Sequence, residues 1–188
     1  MNIVRKAVLV SGLMVVTGST VFSQKSESSG WFVEFGGATL VPQAQPAGLG
    51  GAVAGGYSTR DFNILLRPQV LIAEPGVAQR LLMIPAFLFE WKVPLSPGFI
   101  TLLPYINGGV IGGKILKSDG NLSSTVFTYF AEAGVGAEFI MTHEISLVPR
   151  LGIASALLYA DRDSGNYSGM TVSAAVRYTF GRAKTLDY

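Results

Sequence analysis

The chain is predicted to fold as an all-β domain, an eight-stranded antiparallel up-and-down transmembrane β-barrel. Three observations predict it. From residue 31 onward apolar residues recur with period 2 rather than 3.6, in about eight segments. The connections alternate between tight turns and longer polar loops, as in outer-membrane barrels. The last segment closes on two aromatics two residues apart, Tyr178 and Phe180. Composition agrees. Hydrophobic residues make up 49% of the 188 residues and charged ones 14%, which is little charge for a water-facing surface. After the N-terminus no apolar run reaches the roughly 18 residues that a helical span needs.

Met1–Ser23 has the three parts of a signal peptide. Arg5 and Lys6 supply positive charge, Ala7–Val16 is apolar, and Thr17–Ser23 is small and polar, with Val21 and Ser23 placed for cleavage after Ser23. As a membrane anchor the apolar run is too short, and Ser11-Gly12 breaks it. The mature chain, 24–188, is then one outer-membrane barrel domain that opens on the polar lead Gln24–Gly30. The expected strands are 30–41, 49–58, 62–73, 80–93, 99–113, 125–140, 144–160 and 169–181. Tight turns fall at Thr59–Asp61, Leu95–Gly98 and Met141–His143. Longer loops fall at Pro42–Gly48, Glu74–Gln79, Lys114–Ser124 and Asp161–Ser168. With both termini periplasmic, the short turns face the periplasm.

Several strands have two distinct faces. On the first, Trp31, Val33 and Phe35 oppose Glu34. On the third, Phe62, Ile64, Leu66, Pro68, Val70 and Ile72 oppose Asn63, Arg67 and Gln69. On the fourth, Leu81, Met83, Pro85, Phe87, Phe89 and Trp91 oppose Arg80, Glu90 and Lys92. On the sixth, Phe127, Tyr129, Ala131, Val135, Ala137 and Phe139 oppose Thr128, Glu132 and Glu138. On the seventh, Ile145, Leu147, Leu151 and Ile153 oppose Ser146 and Arg150. On the eighth, Val172, Ala174, Val176, Tyr178 and Phe180 oppose Thr171, Ser173, Arg177 and Thr179.

A soluble ligand-binding barrel would turn the apolar face inward. Two features place it outward, against lipid. The minority face is mostly small residues, which suit the narrow lumen of eight strands. Trp31, Tyr57, Phe62, Trp91, Phe139 and Phe180 also gather at the periplasmic strand ends, as an aromatic girdle at one interface. Internal prolines Pro68, Pro85, Pro104 and Pro149 each delete a ladder donor, so bulges are expected there. The glycine pairs at 36–37, 55–56, 108–109 and 112–113 either bend strands or make room for aromatic rings.

Three segments carry a resemblance: Pro104–Gly113 (PYINGGVIGG), Phe130–Phe139 (FAEAGVGAEF) and Glu144–Gly152 (EISLVPRLG). In that order they resemble the bacterial outer-membrane barrel family of the OmpA membrane domain and OmpX, with the OmpW group as a relative. The resemblance spans about 24–188 and implies fold and envelope location. Ser173, Ala175, Tyr178 and Phe180 look like the terminal signal read by the barrel-assembly machinery. Ala175 stands where glycine is usual, and the tail Gly181–Tyr188 offers a second candidate ending in Leu186 and Tyr188.

The inward charges are Glu34, Glu90, Glu132 and Glu138 against Arg67, Lys92, Arg150 and Arg177. An unpaired charge in a narrow lumen is costly, so a paired network is expected, centred on Glu34, Arg67, Glu132 and Arg150. Glu90, Lys92, Glu138 and Arg177 lie near strand ends and suit solvated mouths.

Enzyme, metal and nucleotide chemistry lack their residues. Lipid A acyl-chain enzymes of this size need a histidine near a serine at the outer rim. The one histidine, His143, falls in a periplasmic turn. With no cysteine there is no thiolate metal site and no disulfide, and Asp161 and Asp163 make at best a weak Ca²⁺ site. Gly108–Lys114 nearly spells a phosphate loop but continues with Ile115 outside any βα unit. Scattered basic residues and a net charge of +2 give no nucleic-acid footprint.

No cofactor is expected. The expected partners are outer-membrane lipids, the assembly machinery, and an external surface partner at loops 114–124 and 161–168. The expected role is structural or surface-interacting. The alternative is a narrow channel or transporter for small solutes, apolar ones included, with Leu65, Leu71, Leu82 and Leu88 lining the lumen.

Overall fold

A computed structural model describes residues 29–43, 47–73, 80–96, 100–113, 126–160 and 163–180. The signal peptide, loop 114–124 and tail 181–188 lie outside the described residues. Among the described residues there are eleven strand segments: β1 Gly30–Pro42, β2 Gly48–Ser58, β3 Phe62–Leu66, β4 Gln69–Ala73, β5 Arg80–Trp91, β6 Val93–Ser96, β7 Ile100–Gly113, β8 Val126–Ile140, β9 Ile145–Ala160, β10 Asp163–Asn166 and β11 Gly169–Thr179. They make eight barrel strands, because β3/β4, β5/β6 and β10/β11 are interrupted single strands. Every pairing is antiparallel, and β1 pairs with both β2 and β11, which closes the barrel.

The strand breaks have local causes. Pro68, which cannot donate, lies in the gap between β3 and β4, where its carbonyl accepts from Val53 N–H at 3.2 Å. At Pro85 the β5–β7 register shifts, as a bulge requires. The bulges expected at Pro104 and Pro149 are absent, and the register runs straight through both. Pro104 lies opposite the end of β5, where no β5–β7 ladder pair is formed. Pro149 pairs with Ala174 of β11, while its β8 side lacks a ladder pair. In both cases the missing donor falls where no ladder bond is made.

Side chains close the short turns. The Thr59 hydroxyl donates to Phe62 O at 3.0 Å and accepts from Phe62 N–H at 3.1 Å. The Thr142 hydroxyl accepts from Glu144 N–H at 3.2 Å and Ile145 N–H at 3.0 Å. Lys92 Nζ donates to Ser58 Oγ at 2.5 Å and to Thr59 O, reaching from the end of β5 past β3 to the end of β2.

Four of the six described residues of the expected loop 161–168 are strand. Asp163–Asn166 pairs with Leu157–Ala160 in the register that β11 then continues. At the interruption Ser168 Oγ accepts from Ala156 N–H at 3.1 Å, and Asn166 Oδ1 accepts from Ser168 N–H at 2.8 Å. Period 2 is too weak to detect in a four-residue run of Asp, Ser, Gly and Asn.

The apolar face points outward. Trp31, Phe35, Leu49, Ile72, Phe87, Phe127 and Ile153 are all more than half exposed, while Glu34, Asn63, Arg67, Glu90, Glu132, Glu138, Arg150 and Arg177 are buried. At the end that carries Gly30 and Thr179, the girdle residues touch. Trp31 meets Tyr57 edge-on at 5.2 Å, Phe62 stacks on Phe89 at 5.3 Å, Phe89 meets Trp91 at 4.6 Å, and Tyr178 meets Phe180 at 4.9 Å. Phe139 is half-buried on the same rim and pairs with Ile100.

Candidate functional site: the filled lumen

The lumen is the one place where buried polar chemistry concentrates among the described residues. Its charges stand on strands whose alternation forces them inward. Four of them form a closed ring. Arg150 on β9 donates through Nε to Glu90 Oε1 at 2.7 Å and through Nη2 to Glu34 Oε1 at 2.8 Å. Arg177 on β11 donates through Nε to Glu34 Oε1 at 2.7 Å and through Nη2 to Glu90 Oε2 at 2.7 Å. Each arginine bridges both carboxylates, and each carboxylate is shared by both arginines. Glu34, Arg177 and Arg150 come from adjacent strands, whereas Glu90 on β5 reaches them from the opposite wall. The ring therefore braces the barrel across its diameter. Asn63 Nδ2 donates to Glu90 Oε2 at 2.8 Å, Arg177 Nη1 lies 3.7 Å from Glu138 Oε2, and the Arg177 guanidinium sits 4.3 Å over the Phe32 ring. Charge-assisted, forked bonds of this kind are the strong members of their class.

A second hub sits beside the ring. Glu132 accepts from Tyr105 Oη at 2.7 Å, Thr171 Oγ1 at 2.6 Å and Asn107 Nδ2 at 2.9 Å. Two glycines make room for the tyrosine. A Cβ on Gly152 would lie 2.3 Å from Tyr105 Oη, and one on Gly134 would lie 2.8 Å from its Cζ. Here the lack of a side chain matters, not backbone freedom.

The ring is not centred where the sequence placed it. Glu34 and Arg150 belong to it, but Arg67 and Glu132 do not. Arg67 is buried with Nη2 unpartnered, and Glu132 is held by hydroxyl and amide donors. Glu90 and Arg177, assigned to the mouths, complete the ring. The reason is strand tilt. The ladder that starts at Glu90, one residue from the end of β5, passes through Tyr105, Gly134, Gly152, Thr171 and Leu40. It arrives at Gly48, the far end of β2. Distance from a strand end therefore does not rank height across strands.

Apolar side chains fill the rest. Phe32, Ala54, Leu65, Leu88 and Tyr105 pack on the ring's side, and Ala38, Leu40, Ala52, Leu71, Ile111, Phe130, Ala154, Ala156 and Tyr167 pack toward the opposite end. Tyr167, assigned to a loop by the sequence, is 1% exposed. It continues the inward-facing odd positions of β11 across the interruption, a signal visible once β10 is known to be strand. Leu65, Leu71 and Leu88 are packed into these clusters rather than lining an open path. His143 lies in the exposed turn between β8 and β9. No group of three or more His, Asp or Glu among the described residues is arranged to hold a metal ion.

No protein-family model matches the chain, and no curated protein does. Among solved structures it is similar to Neisserial surface protein A (NspA), with 14% identity, 82% of this chain and 100% of that one covered, and a TM-score of 0.65. It is also similar to the outer membrane protein OprG of Pseudomonas aeruginosa, with 10% identity, 85% and 99% covered, and a TM-score of 0.54. The fold is that of the small outer-membrane β-barrels.

Proposed function

We propose that this chain is an integral protein of the bacterial outer membrane whose barrel is closed, with a structural or surface-contacting role rather than a catalytic one. The observation that carries this reading is the filled lumen. A cross-braced ion ring, a carboxylate hub and two packed apolar clusters occupy its interior among the described residues. A pore that conducts small solutes needs a continuous wet path, and these side chains stand in its way. Membrane lipid covers the outward apolar face. Ser173, Ala175, Tyr178 and Phe180 serve the assembly machinery, and the end of the barrel opposite Gly30 and Thr179 meets external partners.

The test is single-channel recording on residues 24–188 refolded into planar bilayers. Stable insertion without discrete openings is the expected result. Reproducible openings would replace the closed barrel with the channel reading, and failure to insert would return the chain to the soluble barrels.

Membrane placement has its own test. Both tryptophans, Trp31 and Trp91, are exposed on the girdle at one rim. Such rings sit at headgroup level. Tryptophan emission should shift to the blue on insertion. Bromines placed near the lipid carbonyls should quench it more strongly than bromines at the chain ends. The reverse order would place the rims wrongly.

A further inference from the structure

We infer that the ion ring sets the register in which the barrel closes. Seven of the eight strand interfaces join strands consecutive in sequence, where the connecting turn or loop limits register. The β1–β11 seam has no connecting turn. Its partners Glu34 and Arg177 are 143 residues apart in the chain. Hydrophobic alternation does not choose the register there either. A slip of one residue would turn every side chain to the wrong face, but a slip of two restores the inside–outside pattern completely. Something with longer memory than period 2 must discriminate.

The ring is built at that seam. Glu34 and Arg177 are direct cross-strand partners, and Arg150 stands on the next strand, in the same β9–β11 hairpin as Arg177. If β1 slips by two residues against that hairpin, Glu34 moves about 7 Å along the wall. It then faces Ala175 or Thr179 instead of Arg177. The bonds from Arg150 and Arg177 to Glu34 Oε1, now 2.8 and 2.7 Å long, break together. Both arginines keep Glu90, Arg177 keeps its longer contact with Glu138, and the Glu34 carboxylate is left buried without its partners. Desolvated charge makes that alternative costly, and setting register is the best-attested use of a buried polar group.

The chain has no cysteine, so engineered thiols report the seam cleanly. Thr39 pairs with Val172 in the native register. A slip of two pairs it with Met170 or Ala174, which natively lie diagonal to it at about 7–8 Å, beyond ready disulfide reach. Thr39→Cys is combined in turn with Val172→Cys, Met170→Cys and Ala174→Cys, in the otherwise native chain and in the Glu34→Gln/Arg177→Gln background, and the folded barrel is oxidised. The native background should give the 39–172 cross-link almost alone. Removing the pair should raise the 39–170 or 39–174 product severalfold at the expense of 39–172.

A folded double variant that still gives only the 39–172 product overturns the inference, because loss of stability alone does not move the register. If the double variant yields no folded barrel, the same cross-links are read in Glu34→Ala, which removes the acceptor of both arginines and keeps Arg150, Arg177 and Glu90. An unslipped seam there overturns the inference equally.

Discussion

Replacing Arg150 with alanine should destabilise the folded barrel by about 3–5 kcal/mol, the cost of breaking a buried ion pair from one side. Among the described residues, Arg150 and Arg177 are the two groups that bridge Glu34 to Glu90 on the opposite wall. Removal of Arg150 leaves two buried carboxylates sharing one guanidinium. The measurement is the urea midpoint of the barrel refolded in lipid vesicles, with loss of heat-modifiable gel migration as a second reading. Arg67→Ala is the internal control. Arg67 is as deeply buried, but it lies outside the ring of ion pairs. Its midpoint should fall less than that of Arg150→Ala. Equal losses would show that burial of charge, not the ring, sets the stability of the lumen.

Glu132→Ala is the second large effect. It strips the acceptor from three buried donors at once, Tyr105 Oη, Thr171 Oγ1 and Asn107 Nδ2. Each orphaned donor costs about 1–3 kcal/mol, so a loss of about 3 kcal/mol or more is expected. Glu132→Gln should recover most of it. The glutamine oxygen still accepts from Tyr105 and Thr171. Asn107 can turn its amide and present Oδ1, which has no partner in the native lumen, to the new NH₂ group. Failure of glutamine to rescue the urea midpoint would mean that the negative charge itself matters there, which would bring Arg67 back as its partner. The outcome therefore separates a hydrogen-bond hub from an ionic one.

Much of this architecture is legible in one dimension because a barrel strand is a local object. Phe62, Ile64, Leu66, Val70 and Ile72 alternate with Asn63, Leu65, Arg67, Gln69 and Leu71, and that alternation alone separates lipid from lumen. The small residues of the inward face and the aromatic girdle at one rim decide which is which. β10 escaped because Asp163, Ser164, Gly165 and Asn166 are all small or polar, so no apolar alternation marks the run. The straight ladders at Pro104 and Pro149 escaped for another reason. Whether a proline costs a bond depends on whether its neighbour has a bond to offer at that height.

The sequence by itself determined the eight barrel strands, their order, their inward and outward faces and the set of charges that share the lumen. Each of these follows from a period of two residues and from turn chemistry. Only the tertiary structure decided which charges meet. Glu90 and Arg177, near strand ends, join Glu34 and Arg150, while Arg67 and Glu132 go elsewhere. Strand tilt and stagger offset heights around the barrel. A contact across the lumen depends on that accumulated offset, and no local pattern in the chain records it.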